Sequence, residues 1–232
     1  MASSSHGNGE AAAVTVGSRS ARVATRLGTL GGRDRAQVAA GSALVAASAL
    51  AWLALAGTEP PLGAAGFLAG WTLMMVAMML PSILPLVLLH RGSRAGLVAG
   101  YLGVWSALGL LPYAAMEWGL ELGLPLVLAL AGLYELSPLK SACLRRCRNV
   151  AGFLLEHYRS GPLRLGAEHG LWCAGCCAGL MALLVLAASM GLQWAAAIAA
   201  VVFVQKVLSF GEPSARVVGA GLLAAAALVA VT

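Results

Sequence analysis

The chain has 232 residues, of which 60% are of hydrophobic type and only 10% are charged, and its mean hydropathy is +0.85. That balance excludes an ordinary soluble domain, in which about a quarter of residues carry charge. The net charge of +6 would suit nucleic acid, but the bases stand beside apolar runs, where topology and anionic lipid account for them; no nucleic-acid partner is expected.

Residues 1–35 are polar and rich in Ser, Gly and Arg. They have too few large apolar side chains to fold alone and read as a disordered basic cytoplasmic tail. A cleavable signal peptide is not expected, because the first apolar run starts too late for one. Residues 36–232 then carry seven apolar runs: roughly Ala36–Leu55, Ala64–Leu89, Ala95–Trp118, Leu122–Leu136, Gly170–Ala188, Leu192–Val207 and Val217–Val231. A spanning α-helix needs about 20 apolar residues and satisfies its own backbone. The runs therefore predict an all-α, polytopic transmembrane helix bundle of about seven spans.

Leu122–Leu136, Leu192–Val207 and Val217–Val231 are short for a crossing. Making the first of these re-entrant would push the bases of 145–164 outward, so all seven crossings are kept. Changing sides at each crossing gathers all 15 Lys and Arg on one face, with Glu59, Glu117 and Glu121 opposite. Basic loops stay inside. The N-terminus is therefore expected to be cytoplasmic, in a multi-pass protein of the cell (inner) membrane whose first partner is the lipid bilayer. Gly66/Gly70, Gly96/Gly100 and Gly175/Gly179 are spaced four apart, which permits close helix contact and would also suit a membrane-protein partner or a homo-oligomer.

Met74, Met75, Met78 and Met79 in the second run put four of the eight methionines within six residues. Thioethers are soft, neutral ligands that suit Cu(I) at membrane depth, although Met also serves as adaptable packing. Pro81 and Pro85 remove the donors for the Ala77 and Pro81 carbonyls, so the helix is expected to bend or open there, with Ser82 at hand to satisfy one carbonyl. Trp71, Trp105, Trp118, Trp172 and Trp194 fit interface anchors.

Between the fourth and fifth runs, Ser137 is a candidate cap and Pro138 a candidate first residue of a helix. Leu139, Ala142, Cys143, Cys147, Val150, Phe153 and Leu154 would form its apolar face, which predicts an amphipathic helix over about 138–159 at the inner membrane surface. Ser160-Gly161-Pro162 ends it. A local ion pair of Glu135 with Lys140 or Arg145 is expected. Gln205 reads as a cheap polar group near a helix end, with Lys206 snorkelling to the interface.

All five cysteines lie near the reduced, cytoplasmic side on this topology, which favours metal or thiol chemistry over structural disulfides. Cys143 and Cys147 are helix neighbours. His169, Cys173 and Cys176 run i, i+4, i+7, with Cys177 beside them. One imidazole and several thiols on one stripe make a soft-metal surface. A lone CxxxC is weak, and a buried Cys often merely packs; the two groups flanking one connection carry the signal. No Walker, dinucleotide, GxSxG or HExxH pattern occurs, so no catalytic residue is assigned.

Three stretches in this order resemble the DUF2182 family, bacterial predicted metal-binding integral membrane proteins: Trp71 through Met-Met-Val-Ala-Met-Met-Leu-Pro-Ser82, Tyr134 to Arg148, and His169 to Met181. The likeness spans about 64–210. It implies metal binding, with motif positions Met74, Met75, Met78, Met79 and Pro81, then Cys143 and Cys147, then Cys173, Cys176 and Cys177. The chain departs from the family in having Gln205 where Glu is common and Ala178 where a large residue is common.

Together these readings give a membrane protein that handles a soft, copper-like ion through Met74, Met75, Met78, Met79, Cys143, Cys147, His169, Cys173, Cys176 and Cys177, as a transporter or a metal-delivery subunit. Two alternatives stand beside it: a non-catalytic membrane assembly or scaffold subunit, and a membrane thiol oxidoreductase using the cysteines as redox pairs.

Overall fold

The computed structural model describes residue 32 and residues 34–57, 63–120, 122–157, 159–186, 191–208 and 210–231. The expected tail over 1–35 lies almost wholly outside the described residues, as do Glu59 and Glu121. The chain divides into two units, Met1–Ser42 and Ala43–Thr232. The first contains the opening residues of helix α1; the packing and the site described below belong to the second.

The described residues are helical, without a strand: α1 (Asp34–Ala56), α2 (Gly63–Leu89), α3 (Arg94–Leu108), α4 (Leu110–Glu117), α5 (Leu124–Leu136), α6 (Pro138–Arg148), α7 (Val150–Glu156), α8 (Pro162–Leu186), α9 (Leu192–Val207) and α10 (Gly211–Val231). Among the described residues, five spans are long and apolar enough to cross a membrane: α1, α2, α3 with α4, α8 and α10. Helices α5 and α6 form a pair bent by 59°, which makes six if they are one span, and α9 is apolar but only 16 residues long. Helices α8 and α10 start earlier than their apolar runs, at Pro162 and Gly211. Their first two turns carry Arg164, Glu168, Glu212 and Arg216, which hydropathy counts against a span.

Helix α2 stays helical through Pro81 and Pro85. The Ala77 carbonyl, which Pro81 cannot reach, accepts instead from Ser48 Oγ of α1 at 2.6 Å. Ser82 Oγ donates to the Met79 carbonyl at 2.7 Å. The expected opening at the prolines is therefore absent; at Pro81 the Ser48 side chain replaces the missing backbone donor, whereas Ser82, expected to satisfy a freed carbonyl, bonds that of Met79 instead. Trp71 and Trp105 are not interface anchors. They are 4% and 2% exposed, and Trp71 Nε1 donates to the Trp105 carbonyl at 2.7 Å, tying α2 to α3. Trp118 and Trp194 are exposed, as anchors would be.

Helices α3 and α8 touch backbone to backbone. A Cβ on Gly100 would stand 2.0 Å from the Leu163 carbonyl oxygen, and one on Gly166 would stand 1.9 Å from that of Leu97. Only hydrogen fits at either position, so this contact depends on glycine at both. It sets α8, the thiol-bearing helix, directly against α3.

Ser137 caps α6, accepting from Lys140 N at 3.1 Å, with Pro138 in the first turn as expected. The helix predicted over about 138–159 is two helices, parted at Asn149, whose Oδ1 accepts from Gly152 N at 3.1 Å and starts α7. Leu139 and Ala142 are exposed; α6 buries Lys140, Cys143, Leu144 and Cys147. Ring closure by side chains explains how a lysine can lie there. Lys140 Nζ pairs with the Glu135 carboxylate and donates to Gln205 Oε1 at 2.8 Å, and Gln205 Nε2 donates to Glu135 Oε2 at 2.9 Å. The expected local ion pair thus exists, but in the interior, and Gln205 is its third member.

A buried pair held this way tolerates loss of one partner poorly, because the other charge is stranded. Lys140→Met is expected to lower stability by about 3–5 kcal/mol. The double variant Lys140→Met/Glu135→Gln is expected to recover most of that loss. Thermal unfolding in detergent, followed by a tertiary-structure signal, checks both.

Candidate metal site

Helix α8 supplies the centre of the site. Cys173, Cys176 and Cys177 are all at most 2% exposed, and their three sulfurs lie within 4.8 Å of one another. Local helix geometry does most of this, since positions i, i+3 and i+4 fall on one face. Cys176 Sγ also lies 3.6 Å from Cys177 Sγ and donates to the Cys173 carbonyl at 3.1 Å. Beside this group, from another helix, lies the buried thiol of Cys147 on α6, which neighbours Cys173 and Cys176 but stands outside the close trio. All five cysteines are free thiols.

Cys143, one turn earlier on α6, lies beside the close trio and outside it. Its Sγ would be 2.8 Å from a Cβ on Gly175, so the glycine lets α6 settle onto α8. Tyr134 locks the same region by donating its hydroxyl to the Gly175 carbonyl. His169 is buried one turn before Cys173, between the rings of Tyr101 and Phe153, whose centroids lie 6.2 and 5.2 Å away. Its Nδ1 has no hydrogen-bond partner among the described residues. It stands outside the close sulfur group but next to it along the helix.

The polar groups around Cys173 include two that sequence reasoning missed. Tyr101 Oη of α3 lies 2.9 Å from Cys173 Sγ, 3.5 Å from Ser82 Oγ and 3.4 Å from the Met79 carbonyl, to which it donates. Lys206 Nζ of α9 donates to Cys173 Sγ at 2.7 Å and to Ser82 Oγ at 3.3 Å. Lys206 therefore does not snorkel outward; it points at the thiols. The available clue was its position, an ionisable residue in an apolar helix, which suggests function before topology.

Met74, Met75, Met78 and Met79 are buried and belong to the same apolar core as the cysteines. Their helix reaches the thiols through Met79, whose carbonyl meets Tyr101 and Ser82. Chemically, the converged donors are soft. Thiols select Cu(I) and similar ions, while hard cations need oxygen ligands, and no carboxylate joins the sulfur group among the described residues. The donor set therefore fits a soft metal such as copper.

A family model described as PpoB2, copper chaperone, matches residues 68–229. That stretch runs from α2 into α10 and includes the four methionines, the five cysteines, His169 and Lys206. No curated protein and no solved structure matches the chain. The match supports a copper-related family, though not under the DUF2182 name. With its apolar helices and a buried thiol group inside the matched region, the chain belongs to the PpoB2 copper chaperone family.

Proposed function

We propose that this chain is a multi-pass inner-membrane copper chaperone, a delivery subunit that receives Cu(I) as cargo on its thiols and passes it to a membrane-protein partner. The close grouping of the buried Cys173, Cys176 and Cys177 sulfurs carries this reading. Two or three sulfurs are enough for Cu(I), and the neighbouring Cys147 gives the ion somewhere to move. Exchange between neighbouring thiolates never leaves the ion without ligands, which is what a carrier needs. His169 and Cys143 flank the group as further donors. The thioethers of Met74, Met75, Met78 and Met79 offer a weaker, uncharged station along α2. Copper must displace thiol protons to bind, and a buried, prearranged donor set limits the reorganisation that transfer requires.

The membrane arrangement that goes with this function has seven spans and an inside N-terminus. It treats α5–α6 as a bent crossing and α9 as a short one. Arg145 and Arg164 are exposed, with side chains 61% and 76% accessible, as headgroup contacts on the inner face would be. The thiols then lie near the reduced compartment from which Cu(I) arrives.

The detergent-purified chain is expected to hold about one Cu(I) on the thiols, in line with soft-ligand preference. The triple variant Cys173→Ser/Cys176→Ser/Cys177→Ser should lose it in a titration against a chromophoric Cu(I) chelator; retention of full stoichiometry would count against the site. For the topology, single cysteines are placed in a background without native cysteine and probed on intact cells with an impermeant maleimide. Glu117→Cys should label from outside and Arg159→Cys should not; the reverse pattern would invert the chain.

A further inference from the structure

Lys206 is placed differently from the other buried lysine. Lys140 is matched by the Glu135 carboxylate, whereas Lys206 forms no ion pair with a carboxylate among the described residues. Its Nζ spends its hydrogen bonds on Cys173 Sγ, at 2.7 Å, and on Ser82 Oγ, at 3.3 Å. We infer that Lys206 is the specificity residue of the thiol group, the fixed positive charge by which it favours a monovalent soft ion over a divalent one. This rests on the metal-carrying reading of the same thiols and adds to it the charge class of the cargo.

The preference is electrostatic and depends on proximity. An ion held by Cys173 sits within one bond length of a sulfur that Lys206 already touches. Repulsion between the ammonium and the ion scales with the charge of the ion, so a divalent cation feels twice what Cu(I) feels. Both ions would use the same sulfurs, so the difference survives when their affinities are divided. Salt does not screen it in a dry interior.

The surrounding groups leave the effect intact. Tyr101 and Ser82 are neutral hydroxyls, and Glu135 and Lys140 cancel each other in a closed ring on the adjacent residue, Gln205. Thiolates alone bind Zn(II) tightly, so a copper carrier built of cysteine requires some means of refusing it. A lysine aimed at the central sulfur supplies that means without occupying a ligand position.

Affinities for Cu(I) and Zn(II) are measured by chelator competition on the full chain in detergent, for the wild type, Lys206→Met, Lys206→Arg and Ser82→Asp. Lys206→Met is expected to lower the Cu(I)-to-Zn(II) affinity ratio by at least about tenfold, or ~1.4 kcal/mol, mainly by tightening Zn(II). Lys206→Arg keeps the charge and should keep the ratio. Ser82→Asp leaves the lysine in place but neutralises it from the Ser82 side, and should lower the ratio by an independent route. The inference is overturned if the ratio holds in whichever neutralised variant remains monodisperse, or if Lys206→Arg lowers it as far as Lys206→Met does. Failure of the underlying reading looks different: the wild type would bind neither ion, or would bind both equally well without Cys173, Cys176 and Cys177.

Discussion

Two ammonium groups inside an apolar bundle set the terms for everything around them. A charge at this depth is tolerated only when donors and acceptors enclose it. Gln205 and Lys206 are consecutive on α9 and reach two separate polar clusters. The first closes Lys140 against Glu135 at the α5–α6 bend; the second directs Lys206 onto Cys173 and Ser82. One helix end therefore fixes the bend and the thiol site together. Moving α9 would take Gln205 from the Lys140–Glu135 pair and Lys206 from Cys173 at the same time.

The thiol group depends on this arrangement in a second way. Cys147 comes to lie beside the α8 thiols because α6 turns by 59° after Ser137 and packs on α8, and Lys140 on the same helix pins that turn. Glycine does the fine positioning. Gly175 admits the Cys143 sulfur, and the Gly100–Leu163 and Gly166–Leu97 contacts draw α3 close enough for Tyr101 to meet Cys173. Small residues at helix contacts thus serve the site by allowing approach, while the polar clusters decide which approach is kept.

Much of the fold was legible because hydropathy is a local property. Each apolar run became a helix, and the cap at Ser137 and the restart at Pro162 followed from turn chemistry. The α8 thiols were legible for the same reason, since their spacing alone puts them on one face. Side-chain direction was not. Lys206 and Trp71 were assigned to the interface from residue type and position along the chain, yet both point inward, toward partners 33 and 34 residues away. Leu139 and Lys140 exchanged their expected places because an ion pair outweighed amphipathic patterning. Pro81 and Pro85 suggested an opened helix, and only the packed structure shows Ser48 taking the freed carbonyl. Where a neighbour in space decides, a single sequence has little to say.

The central claim is that buried sulfur, gathered from α6 and α8, holds the cargo. X-ray absorption at the copper edge on the Cu(I)-loaded, detergent-purified chain tests it most directly. A first shell made of sulfur alone is expected, lost when Cys173, Cys176 and Cys177 are replaced by serine. A shell dominated by nitrogen or oxygen, unchanged in that variant, would contradict it.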